Sequence, residues 1–210
     1  SRFHDTFIGD RKFYRTVLAL VLPVIAQNIL SNFVNLLDNV MVGHVGTVEM
    51  SGVAIANQLI FVFNLAIFGA ISGAGIFGAQ FAGARDWEGL RQTFRLKLLV
   101  ALGITIVAAG IMIFFADPTI SLFLTGDGDS ADAASMLVFG KQYLRLMLLG
   151  LLPFALSQSY SSTLRETGET LLPMIASISA VLVNLTFNYL LIYGKLGFPK
   201  LGVEGAAIAT

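Results

Sequence analysis

The sequence predicts an all-α, polytopic bundle of membrane-spanning helices, with five spans and the start of a sixth. Two observations carry that prediction. Of 210 residues, 56% are hydrophobic and 12% are charged, about half the charged fraction of an ordinary soluble domain. Mean hydropathy is +0.79, and several apolar stretches approach the roughly 20 residues that cross a bilayer as a helix. The formal net charge is zero, so no nucleic-acid or acidic partner is implied and the lipid bilayer is the expected surroundings. There are no cysteines, which excludes disulfides and thiolate metal sites.

The spans follow in order. The first covers about 16–41 and the second about 50–81. The third runs over about 94–116, the fourth over 136–163 and the fifth over 171–193, and a sixth begins near Val203. Polar residues in the first span argue for a retained helix over a signal peptide. The chain opens on Ser1, and Gly202-Val-Glu-Gly-Ala-Ala-Ile-Ala-Thr210 reads as the opening of another helix, so a fragment is expected. Pro23 and Pro153 fall inside spans one and four, where they free backbone carbonyls and favour bends. In span two, Gly69/Gly73 and Ala70/Ala74/Gly78/Ala82 recur every four residues, a spacing that lets helix backbones approach.

Basic residues set the expected orientation. Arg2, Arg11, Lys12, Arg15, Arg85, Arg91, Arg95, Lys97 and Arg165 fall on one side, against Lys141, Arg145, Lys195 and Lys200 on the other. This asymmetry predicts a multi-pass protein of the cytoplasmic membrane with its amino terminus in the cytoplasm, and with His44 and the Asp127–Asp132 loop outside. Arg85 and its basic neighbours are read as topology determinants, and Lys141 and Arg145 as side chains that snorkel.

Asp38 is the one acidic residue inside these hydrophobic spans. A carboxylate at membrane depth costs roughly 2.5–3.5 kcal/mol on insertion scales, so it faces a bundle interior or a wet cavity. At 100° per residue, Gln27, Asn28, Ser31, Asn32, Asn35, Asp38 and Asn39 share an arc of about 140°. Ile29, Leu30, Phe33, Leu36, Leu37, Val40 and Met41 fill the opposite side. Span five repeats the pattern with Ser177, Asn184 and Asn188. Asp38, Asn184, Asn188 and Thr210 can together supply hard oxygen ligands for a proton or a sodium ion, with Asp38 the anionic ligand.

Span two carries Asn57, Phe61, Asn64, Phe68 and Ser72 along one stripe with Gln58 beside it, and span four ends in the polar run containing Ser161. Aromatic faces with a few polar groups suit an organic cation. Gln27, Asn28, Ser31, Asn35, Asn57, Gln58, Phe61, Asn64 and Ser161 are therefore the candidate lining of a substrate cavity. Asn and Ser in membrane helices also serve simply to hydrogen-bond a neighbouring helix, and a Phe stripe also serves as packing. No phosphate-binding loop, paired carboxylates or nucleophile motif is present in the sequence, so no enzyme and no cofactor is expected, and an ion gradient is the expected energy source.

Several motifs in order complete the reading. They are Pro23, Gln27, Asn35-Leu-Leu-Asp38-Asn-Val-Met-Val-Gly43-His-Val-Gly46, Ala54-Ile-Ala-Asn-Gln58, Gly78-Ala-Gln-Phe-Ala-Gly83-Ala-Arg85, Leu164-Arg-Glu-Thr-Gly168, Pro173, Asn184, Asn188 and the 202–210 tail. Together they resemble the amino-terminal lobe of a multidrug and toxic compound extrusion (MATE) transporter. The resemblance implies twelve helices in two lobes and export of cationic or amphipathic drugs in exchange for sodium or protons. It implies a cation site at the positions of Asp38, Asn184, Asn188 and Thr210; some relatives have aspartate where this chain has Asn188. It makes 1–210 an incomplete amino-terminal lobe whose second lobe lies in the same or another chain. Two other readings remain open: a lipid-linked precursor flippase and a non-transporting membrane subunit or scaffold.

Overall fold

A computed structural model describes residues 9–114, 118 and 130–210, with the side chains of residues 35 and 130–133 excepted. Its helices are α1 (Arg11–Gly43), α2 (Thr47–Gly83), α3 (Trp87–Phe114), α4 (Ser130–Glu166), α5 (Leu171–Tyr193) and α6 (Val203–Ala209). Among the described residues, five helices are long and apolar enough to cross a membrane, and α6 begins where the sequence places a sixth. The Asp127–Asp132 loop lies largely outside the described residues.

Helix ends are set by local chemistry. The Asp10 carboxylate accepts the Phe13 N–H at 2.7 Å, and Asp86 accepts that of Gly89 at 3.0 Å, each satisfying a donor that the first helical turn leaves free. Glu169 accepts from the N–H groups of both Leu171 and Leu172 at the start of α5. Gly194 ends α5 in the left-handed conformation (φ 65°), where a Cβ would also press on Lys200. Four helices outrun the predicted spans at one or both ends. Their charged ends stay helical because capping and side-chain pairing continue past the apolar window; α3, for example, starts at Trp87, seven residues before the predicted span.

The core lies between α2, α3 and α4. One ridge of α2, comprising Val53, Ala56, Ile60, Phe63, Ile67 and Ile71, is buried, and α2 packs most extensively against α4 and then α3. Leu144, Leu151 and Ala155 of α4 and Ala101 of α3 meet that ridge. Helices α1, α5 and α6 form a second group, with α1 resting mainly on α5 and α5 on α6. Gly205 lets α6 approach closely, since a Cβ there would sit 2.7 Å from the Leu191 carbonyl carbon.

Two expectations need correction. Gly69 and Gly73 face open space and mark no close helix contact. The glycines that do are Gly52, Gly75 and Gly78. A Cβ on Gly52 would come within 2.6 Å of the Met136 carbonyl oxygen, and one on Gly75 within 2.7 Å of Glu166 Oε1. A Cβ on Gly78 would overlap Glu166 Oε2. Gly78 belongs to the predicted Ala70/Ala74/Gly78/Ala82 row, whereas Gly52 and Gly75 fall in neither predicted row, and only packing identifies the face of α2 that meets α4.

Lys97 is the second correction. It is only 1% exposed and forms an ion pair with Glu166, so it is a buried structural charge and not a surface topology signal. Lys97 Nζ also lies 3.2 Å from Ser162 Oγ and 3.3 Å from Thr163 Oγ1, and Ser162 donates to Glu166 Oε1 at 2.7 Å. Glu166 extends α4 three residues beyond the predicted span, so Asp38 is not the only carboxylate held within the described helices: Glu49 and Glu166 are half-buried as well.

Breaking a buried pair on one side strands a charge, a loss of about 3–5 kcal/mol. Lys97→Met or Glu166→Gln alone should therefore lower stability strongly in an unfolding titration with a denaturing detergent, and the double variant should recover much of the loss. Gly78→Val should destabilise by about 1–3 kcal/mol through overpacking, whereas Gly69→Ala should not lower the midpoint, since its Cβ meets nothing and alanine is the better helix former.

Candidate functional site

The predicted cation-site residues come together where α1, α5 and α6 meet. Asp38 lies five residues before the end of α1, on the side that contacts α5, in line with buried Val34 and Val42. The Asn188 amide donates to Asp38 Oδ1 at 2.5 Å and to Asn184 Oδ1 at 3.1 Å. Asn184 in turn donates to the Ala209 carbonyl at 3.2 Å and to Thr210 Oγ1 at 3.3 Å. A continuous polar chain thus runs from α1 through α5 to the end of α6.

Asn188 is fully buried, at 0% exposure, because its position on α5 is turned into the bundle one turn beyond Asn184. Its Oδ1 is buried with no partner among the described residues. An unpaired amide oxygen beside a carboxylate is a free hard ligand of the kind an alkali cation takes. Asp38, Asn188, Asn184 and Thr210 therefore have the donor chemistry to hold a proton or a sodium ion. Among the described residues no cluster of three His, Cys, Asp or Glu suited to a transition metal exists.

Sequence reading missed Tyr143. It is buried on α4, with its hydroxyl turned towards the polar side chains of Asn57 of α2 and Thr210. Tyr143 thereby connects the α2–α4 group to the polar chain. Its signal in the sequence was a lone tyrosine in Lys141-Gln-Tyr-Leu-Arg145, where the flanking charges drew the reading to the interface and the ring counted as packing.

The expected cavity residues are divided. Asn28, Gln58 and Phe61 are exposed, while Ser31, Asn64 and Ser161 are half-buried. Asn57 is half-buried and turned to Tyr143. The side chain of Asn35 lies outside the described set. Gln27 is engaged at both polar atoms, donating to Ser177 Oγ at 2.5 Å and accepting from Arg165 Nη2 at 3.4 Å. It ties α1, α4 and α5 together at the end of the bundle opposite Asp38.

The MatE family model matches residues 23–190, most of the chain. The chain belongs to the MatE family. MatE members are transporters and not enzymes. The chain is 29% identical over 196 residues to a probable multidrug resistance protein NorM of Thermotoga maritima, covering 93% of this chain and 41% of the relative. A probable NorM of Streptococcus pneumoniae is 30% identical over 193 residues, with 92% and 41% covered. The chain thus spans about two fifths of the length of the curated relatives it matches. In fold it superposes on an outward-facing multidrug resistance MATE family transporter of the MOP superfamily with a TM-score of 0.77 at 22% identity, covering 93% of this chain and 41% of that one. A MOP superfamily transporter from Pyrococcus furiosus gives a TM-score of 0.73 at 22% identity, with the same coverage.

The Tyr143 hydroxyl can be tested directly in this MatE chain. Tyr143→Phe removes an anchor of the 203–210 segment, and a single hydrogen bond contributes about 1 kcal/mol. Amide exchange in α6 should accelerate about fivefold by mass spectrometry, with α2 and α3 unaffected; unchanged protection of α6 would show that the hydroxyl does not anchor it.

Proposed function

We propose that the chain forms the amino-terminal lobe of a secondary active multidrug exporter in the cytoplasmic membrane. In this reading the exporter exchanges cationic or amphipathic organic molecules for sodium ions or protons, and a second lobe in the same or another polypeptide completes the pathway. The observation that carries it is the polar chain Asp38–Asn188–Asn184–Thr210, built around a membrane-depth carboxylate and an unpaired amide oxygen.

The mechanism follows from what Asp38 can exchange with its neighbours. As a carboxylate it only accepts hydrogen bonds, and it takes the Asn188 amide hydrogen. With a proton bound it gains a donor, and with a sodium ion bound its charge is neutralised by a ligand that also draws on Asn188 Oδ1. Each state favours a different fit of α1 against α5 and α6, and a difference of a few kcal/mol between the two fits suffices to shift a conformational equilibrium. Alternating access then links the cation to drug binding. The exposed Asn28, Gln58 and Phe61, with half-buried Ser31, Asn64 and Ser161, offer a mixed polar and aromatic wall for an organic cation, whose attraction to ring faces is electrostatic. Gln27 contributes to that wall by fixing the spacing of α1, α4 and α5.

In the complete transporter reconstituted in vesicles, Asp38→Asn should reduce gradient-driven efflux of a fluorescent organic cation at least about tenfold, the loss of about 1.4 kcal/mol of coupling, with insertion unchanged. Wild-type efflux by that variant would refute the role given to Asp38. Imposing a sodium gradient and a pH gradient separately identifies the coupling ion. The cysteine-free sequence allows the orientation to be read by single-site labelling. In intact cells an impermeant maleimide should label Leu196→Cys, in the exposed loop after α5, and should not reach Asp10→Cys; the opposite pattern would invert the topology.

A further inference from the structure

A second charged feature lies where α3 and α4 are exposed, away from the Asp38 chain. The ends of α3 and α4 enclose a cavity of about 250 Å³ lined by Met112, Ile113, Phe114, Lys141, Leu144 and Arg145. Lys141 and Arg145 are four residues apart on α4 and so share one face. Tyr143, between them, points the other way, into the bundle towards Asn57 and Thr210. The cavity is therefore separated from the candidate cation site by the body of α4.

Its surroundings are those of a lipid contact. On α3, Leu99, Ile106 and Ile113 recur every seven residues and are all exposed, as is Phe114. On α4 the face carrying Lys141 and Arg145 continues through exposed Leu149, Leu152, Leu156 and Tyr160. Two exposed apolar stripes thus run along α3 and α4 and end beside Lys141 and Arg145. Along α4, Arg145 and Glu166 are 21 residues apart, which is about 30 Å of helix and about one hydrocarbon thickness. With the Lys97–Glu166 pair near one edge of the apolar layer, Lys141 and Arg145 come at the other, at headgroup depth. Arg145 is exposed and has no carboxylate partner among the described residues.

We propose that the cavity between the ends of α3 and α4 binds the headgroup of an anionic phospholipid in the leaflet on the Asp38 side of the bundle. The phosphate lies against the Arg145 guanidinium and the Lys141 ammonium, and the acyl chains follow the Ile113–Ile106–Leu99 and Leu149–Leu152 stripes. An anionic lipid matches both parts of this surface. The exposed Arg145 guanidinium, with the Lys141 ammonium one turn away, selects its net charge, and stripes some 20 Å long on α3 accommodate its chains, which a free anion lacks. Zwitterionic lipid fits the stripes but brings its own cation to the site.

Native mass spectrometry of the chain released from non-ionic detergent tests the assignment, with phosphatidylglycerol and phosphatidylcholine supplied in equal amounts. The wild-type chain should retain one phosphatidylglycerol with a preference of about tenfold or more, as expected for two basic side chains at a membrane surface. The Lys141→Gln/Arg145→Gln variant should lose that preference. Lys195→Gln/Lys200→Gln, with the same change in net charge in the exposed loop after α5, should keep it. Arg145→Lys keeps the charge and should bind nearly as wild type, so a general folding defect is distinguished from loss of the site, with helix content followed by circular dichroism. Equal retention of the two lipids by the wild-type chain, or an undiminished preference in the double glutamine variant, would overturn the proposal.

Discussion

A carboxylate in an apolar bundle has to be met by donors, because water is not there to supply them, and the arrangement of these helices depends on that constraint. Asp38 and Glu166 lie towards opposite ends of the lobe, and each is met by a different helix. The amide of Asn188 brings α5 to Asp38, and Asn184 and Thr210 extend the contact to α6. Lys97 and Ser162 hold Glu166, while the missing side chains of Gly75 and Gly78 leave α2 room to pass directly over the carboxylate. Neither arrangement follows from hydrophobic packing, which in lipid does little to favour one helix neighbour over another.

The helices consequently form two groups, joined through α6, which packs on α4 as well as on α5. Helices α2, α3 and α4 share a ridge-packed apolar core, while α1, α5 and α6 are joined by the polar chain and the close α5–α6 approach. Polar contacts bridge the groups near both ends. Tyr143 reaches Asn57 and Thr210 at one end, and at the other Arg165 reaches Gln27 next to the Lys97–Glu166 pair. Arg165 and Glu166 are consecutive, so the last turn of α4 holds one helix group through each side chain.

Much of this was legible in the sequence because the strongest signals are one-dimensional. Apolar run length gave five spans and the start of a sixth, and α5 matches its predicted bounds because Glu169 and Gly194 close it sharply. The polar face of α1 and the Asn184/Asn188 pair were visible as helical periodicity, and the structure brings Asp38, Asn184, Asn188 and Thr210 into one chain. The rest needed the third dimension. Lys97 read as a topology charge because nothing in its neighbourhood reveals Glu166, 69 residues away. Gly69/Gly73 and Gly75/Gly78 both look like packing glycines, and only the direction of α4 decides between them. Tyr143 carries its polar contact at the tip of an aromatic ring, which composition counts as apolar.

In the proposed exporter, the amide at Asn188 sets how much charge the Asp38 chain can take up. With asparagine beside Asp38, the cluster carries a single negative charge when empty, and one proton or one alkali ion brings it to zero; a divalent ion would leave surplus positive charge in an apolar bundle. A turnover that swaps one such ion for one singly charged organic cation displaces no net charge across the bilayer. Membrane voltage then neither drives nor opposes that exchange, and its direction is left to the two concentration gradients.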